Sequence, residues 1–174
     1  MESPVFFMNV LARNALQVQK ALVGMTEEDL RMTPNQENVN PAGWLVWHQT
    51  RFVDTVFSHI GGKTQAWVEG NWSEKFPGTP PEPEKTGRLD TMAQVMGMTF
   101  TSEALTAYLD AALERAKDVA SGLTSADFDR EIENPVRDGK IKLGDMLAIV
   151  TTDFLHHSGQ VCLLRGYITG PGWW

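Results

Sequence analysis

The chain has 174 residues, a length that suits one domain spanning residues 1–174 and able to bury a sizeable core without disulfide staples. Its formal net charge of -7 and pI near 5.0 leave no basic footprint for gripping a phosphate backbone, so nucleic acid is not an expected partner. Cys162 is the only cysteine, which excludes an internal disulfide; with no apolar run near the roughly 18–20 residues of a membrane span and no basic-then-hydrophobic signal core at the start, the expectation is a soluble, unprocessed, cytoplasmic protein with no membrane partner.

In residues 3–22, Val5, Met8, Leu11, Ala12, Ala15, Val18 and Leu22 recur mostly three and four apart, which predicts an amphipathic helix opened by Pro4 and ended near Gly24. Thr26-Glu27-Glu28-Asp29-Leu30 reads as a capped single turn, and residues 34–40 as a polar connector. Asn40-Pro41 then reads as a cap followed by proline in the first helical turn, with Gly61-Gly62 closing a second long helix. Its core stripe is expected to contain Leu45, Val46, Phe52, Val53, Val56, Phe57 and Ile60, with His48 on the shoulder.

Residues 63–90 carry scattered glycine, proline and charge, notably Phe76-Pro77-Gly78-Thr79-Pro80-Pro81-Glu82-Pro83, and read as a long loop rather than a helix. A short helix is expected within 89–98, where Met92, Met96 and Met98 look like gap-fillers. A cap at Thr101 or Ser102 opens a third long helix bearing Leu105, Leu109, Ala112, Ala116, Val119 and Leu123, with Gly122 near its end. Residues 127–142 hold Asn134-Pro135 and Asp138-Gly139 between alternating residues, which suggests a short hairpin. The last helix is expected over 143–167, with Leu143, Met146, Leu147, Val150, Phe154, His157, Val161, Leu164 and Ile168 facing the core and Asp153 flanking them. Trp173 and Trp174 close the chain as either a docked tail or an interface.

Four long helices with one long connection between the second and third predict an all-α fold, a four-helix bundle of up-down-down-up topology. Its chemistry centres on Asp153-Phe154-Leu155-His156-His157-Ser158-Gly159-Gln160. Asp153 and His157 are one helical turn apart on one face, so a carboxylate and an imidazole can grip one ion, or simply each other in a charge-assisted hydrogen bond. His48 is the best candidate for a third ligand. His59 is about 16 Å from it along the helix, too far to share an ion, and is read as an exposed histidine near a helix C-terminus. His156 points to another face, and Cys162 is read as a packing residue.

Two imidazoles and one carboxylate suit zinc or nickel best, with iron or manganese also compatible, and three protein ligands leave positions open for substrate. Around them, Trp44, Trp47, Arg51 and Gln160 have two readings: ordinary packing and surface, or a pocket with aromatic walls, an anion-binding guanidinium and an amide that orients a ligand.

Trp44-Leu45-Val46-Trp47-His48 on the second helix, paired with Asp153-x-x-x-His157-x-Gly159-Gln160 on the last, resembles the DinB-like (YfiT-like) metal-binding superfamily over nearly the whole chain. The resemblance implies a metal held by His48, Asp153 and His157, a homodimer, and a small-molecule substrate, with a low-molecular-weight thiol as one candidate. It implies a thiol-dependent transferase or isomerase ahead of a metal-assisted hydrolase; the alternative is a non-catalytic, metal-stabilised binding or dimerisation module. In that superfamily the usual triad is three histidines, and Asp153 departs from it; the mycothiol-dependent maleylpyruvate isomerases carry a carboxylate at that place. No catalytic residue beyond the ligands is assigned.

Overall fold

Helix α1 (Ser3–Leu22) buries Leu11, Ala15, Val18 and Leu22 as its three-and-four spacing predicts, but Phe7 joins them in the core while Val5 and Ala12, expected on the stripe, are exposed. The structure, a computed structural model, describes residues 3–34 and 39–173; residues 35–38 of the expected 34–40 connector and Trp174 lie outside it. The single turn α2 (Glu27–Arg31) is held by a capping box in which Thr26 and Asp29 satisfy each other's backbone N–H groups.

Helix α3 (Ala42–Gly61) begins one residue later than the sequence suggests, with Pro41 itself in the cap position, and ends at Gly62 in the left-handed conformation. It departs more strongly from its predicted stripe. Phe52 and Ile60 are only half-buried, whereas Trp44, Trp47, Gln49, Thr50, Arg51 and Asp54 are buried. The reason is the segment between α3 and the next long helix, which covers the outward face of α3.

That segment is not wholly a loop. It contains α4 (Ala66–Glu69), a 3-10 turn at Trp72–Lys75 and α5 (Met92–Met96). Helix α4 has no cap from its own sequence; the carboxylate of Asp54 accepts from Ala66 N and Trp67 N, both at 2.8 Å. Asp54 also accepts from Tyr108 Oη at 2.9 Å and Ser58 Oγ at 3.1 Å. Beside it Arg51, fully buried, donates to Gln65 Oε1 at 2.8 Å, Tyr108 Oη at 3.2 Å and the Pro83 carbonyl at 2.7 Å, and lies 4.4 Å from the Trp67 ring. Two buried charges thus staple the crossover to α3. Burial raises the Tyr108 pKa well above its ordinary value, against the opposing pull of Arg51.

Helix α6 (Ser102–Ser121) is capped by Thr101, whose hydroxyl accepts from Ala104 N. Strands β1 (Glu131–Glu133) and β2 (Lys140–Lys142) form the expected hairpin, with Ile132 opposite Ile141. It leads directly into α7 (Leu143–Thr169). Helices α1 and α3 each pack against both α6 and α7 around one core, so the protein is mostly helical with one small two-stranded sheet among the described residues. Trp173 packs against that core from the tail.

The crossover makes a tight turn over α3 at residues 86–90. Asp90 N donates to the Gly87 carbonyl, and Trp44 Nε1 donates to Asp90 Oδ2 at 3.3 Å. Gly87 has φ +90, and a Cβ there would come within 2.6 Å of the Trp47 ring and 3.0 Å of Trp44. Gly87→Ala is therefore expected to cost about 1–3 kcal/mol of stability, because both the backbone and two packed indoles resist it. Urea unfolding measures this; a loss below about 0.5 kcal/mol would mean that the turn relaxes freely.

Candidate metal centre

His48 is carried by the exposed-side shoulder of α3, where it is half-buried between Trp44 and the crossover. The Trp44 ring stacks on it at 4.6 Å and 7°. Its Nδ1 lies 2.6 Å from the Thr86 carbonyl oxygen. A carbonyl only accepts, so Nδ1 carries the proton and Nε2 keeps its lone pair.

From α7, His157 stands edge-on to His48 with ring centroids 5.2 Å apart. Its Nδ1 donates to Gln160 Oε1 at 2.7 Å, which again leaves Nε2 free as a ligand atom. His157 Nε2 lies 3.5 Å from Asp153 Oδ1. One ligand atom from each of His48, Asp153 and His157 falls within 4.8 Å of the others, so the three can hold a metal ion. The other Asp153 oxygen, Oδ2, is buried with no hydrogen-bond partner. A buried carboxylate oxygen left unpaired is costly, and a cation is what such an oxygen accommodates.

The sequence-based placement of His157 on the core face needs correction. Ser158 occupies that place, buried and 3.4 Å from Gln49 Oε1, while His157 and Asp153 sit together on the flank. Helix α7 is apolar on several faces, with Ile149, Leu155, Leu163 and Tyr167 exposed, so its periodicity does not fix the phase to one residue. His156 and His59 are exposed, and Cys162 is half-buried with burial raising its thiol pKa.

A cavity of about 1320 Å³ opens beside the cluster, with His48 and Asp153 in its wall. The rest is supplied by α3, the crossover, the hairpin and the first half of α7. Trp44 and Trp47 stand behind this wall as a packed layer, 6.5 Å apart. Arg51 is not an anion-binding group, because its guanidinium is enclosed and engaged with the crossover. Gln160 does orient His157. Nothing in the sequence announces Thr86, which contributes only a backbone carbonyl.

The sequence matches a model of the DinB superfamily over residues 11–161. The chain belongs to the DinB superfamily. None of the curated proteins matches it. In fold, this DinB-superfamily chain is similar to a crystal structure of a conserved protein from Enterococcus faecalis, with a TM-score of 0.85, 22% identity, and coverage of 98% of this chain and 99% of that one.

Burial acts first to lower the His157 pKa, but hydrogen bonds to Asp153 and Gln160 and the charge of Asp153 outweigh it, so the value lies above the ordinary 6.5. Burial lowers that of His48, against the Thr86 carbonyl and Asp153. An ion requires both imidazoles unprotonated. Ion affinity is expected to weaken as pH falls, with the loss beginning above 6.5 because the raised His157 value governs it. In the metal-free chain the sign for His157 reverses: its contribution to stability is complete below 6.5 and is lost as pH rises through the folded-state value. Titration with a divalent ion between about pH 5 and 8 checks this, and an affinity flat across that range would contradict it.

Proposed function

We propose that this DinB-superfamily protein is a metal-dependent enzyme acting on a small molecule, with His48, Asp153 and His157 as the ion's ligands and thiol transfer as the preferred reaction class over hydrolysis. The observation that carries the reading is the convergence of two oriented Nε2 atoms and an unpaired buried carboxylate oxygen at the wall of a large cavity. Zinc or nickel is the favoured ion, with iron or manganese as the oxygen-tolerant alternatives. Such an ion supplies Lewis-acid polarisation and a lowered pKa for a thiol or water.

The chain's own residues do the rest. The Thr86 carbonyl and Gln160 fix which nitrogen of each imidazole faces the centre. The Trp44 ring shields one face of His48 from water. At about 1320 Å³ the cavity exceeds the usual range for one small ligand, which favours a reaction between two molecules such as a thiol and its acceptor.

The helix order, with its long α3-to-α6 crossover, is read as up-down-down-up. The acidic chain favours a small-molecule partner over nucleic acid, and among the described residues no helix is long and apolar enough to cross a membrane. Exposed Phe6, Leu16 and Leu163 on α1 and α7 favour a homodimer, and with it the second reading, a metal-stabilised interaction module. Metal analysis of unchelated protein, combined with turnover of thiol and electrophile pairs, tests the proposal. About one divalent ion per chain is expected; protein prepared without chelators and still devoid of metal would sink it.

A further inference from the structure

Leu89 is 86% exposed, the most exposed large apolar residue among those described, and its φ is +71. A leucine in the left-handed region is strained, because its Cβ crowds the following carbonyl. The strain is held in place from both sides. Thr86 is bound to His48, Gly87 is wedged against Trp47, and Asp90 is bonded to Trp44. The turn therefore presents an apolar side chain to water at the wall of the cavity that contains His48 and Asp153.

The wall that Leu89 joins mixes polar groups with an apolar set. Phe52 on α3, Met146 and Ile149 on α7, Met98 on the crossover and Ile141 on the hairpin line the same cavity. His48 and Thr55 both line it and are seven residues apart, so it runs about 10 Å along α3 from the metal cluster. Apart from Asp153 of the metal cluster, charges in its wall balance in number, with Lys85, Arg88 and Arg137 against Glu82, Glu84 and Asp90, and give no net preference for a charged tail.

We infer that the substrate of this centre is a molecule with an ion-binding head and an elongated apolar chain or ring system, and that Leu89 is a specificity-determining residue that packs against the apolar part. The inference rests on the metal-centre reading of His48, Asp153 and His157. A bound chain would cover Leu89 and so remove its exposed apolar surface from water.

The test uses straight-chain alkyl hydroxamic acids of two to eight carbons, whose two oxygens bind divalent ions whatever the natural head group is, titrated by calorimetry into the full zinc-loaded chain. In the native protein, affinity is expected to rise about three- to fourfold per added methylene until the trough is filled. Leu89→Asn, which tolerates the left-handed backbone, is expected to flatten that rise while leaving zinc affinity and folding unchanged. Leu89→Met is expected to retain it. Affinity independent of chain length, a rise equally steep in Leu89→Asn, or failure of even the two-carbon acid to bind zinc-loaded protein would overturn the inference and leave the metal centre standing. Failure to bind zinc at all would remove the metal centre and the inference with it.

Discussion

Asp54→Ala is expected to lower the unfolding free energy by about 3–5 kcal/mol, the largest stability effect of any single polar substitution proposed for this chain. Asp54 has no exposed surface and accepts four hydrogen bonds, from Ala66 N, Trp67 N, Ser58 Oγ and Tyr108 Oη. Removing it leaves those donors unpaired and strands the Arg51 guanidinium, whose Nη1 lies 3.8 Å from Asp54 Oδ2, in a dry interior. It also uncaps α4, so the loss should fall unevenly, with the crossover freed before the four long helices separate. Urea denaturation gives the total and hydrogen exchange its distribution. A total loss under about 1 kcal/mol would show that water replaces the carboxylate. Because breaking a buried pair costs more than replacing it, Arg51→Met combined with Asp54→Leu should cost less than the two single changes added together.

Asp153→Ala is expected to weaken divalent-ion binding at least about a hundredfold, and in the metal-free protein, at a pH where His157 is neutral, to leave stability unchanged or slightly raised. The two signs have one cause. With an ion, Asp153 is a ligand and a counter-charge; without one, its Oδ2 is a buried acceptor that nothing satisfies. Gln160→Ala separates orientation from ligation, since it removes only the acceptor that holds His157 Nδ1 and should weaken the ion about ten- to hundredfold. Ion titration and thermal unfolding with and without chelator, run on the same variants, measure both signs. An Asp153→Ala protein that binds the ion as tightly as the native chain would assign Asp153 to orienting His157 alone.

The legible parts of the fold are those whose causes are local. The stripe of α1, the Thr26 box at α2, the Thr101 cap of α6 and the turn residues of the β1–β2 hairpin all carry their instructions within a few residues. Helix α4 was hidden because its cap is the side chain of Asp54, twelve residues upstream of Ala66 on another helix. The near-complete burial of α3 was hidden for the same reason, since the crossover that covers it shows only proline, glycine and charge. Of the site, Asp153 and His157 are readable from their one-turn spacing, and His48 from the shoulder of the α3 stripe together with the family pattern; the structure brings the three together. Of the two readings the sequence leaves open for Arg51, its bonds to Gln65 and the Pro83 carbonyl support packing, a choice invisible in sequence because an arginine near a histidine looks the same in either role. Along α7 the expected stripe holds at Leu143, Met146, Leu147, Val150, Phe154, Val161 and Leu164 and fails at His157, beside which Ser158 is the buried residue.

The bond from His48 Nδ1 to the Thr86 carbonyl joins an ion ligand to the middle of the crossover. Coupling of this kind runs equally in both directions: whatever free energy the closed crossover lends to ion binding, the ion returns to the closed crossover. An ion held there would thereby be a latch on the cavity's roof. Its loss would loosen the crossover around Thr86, so metal supply would also bear on how firmly that segment stays closed.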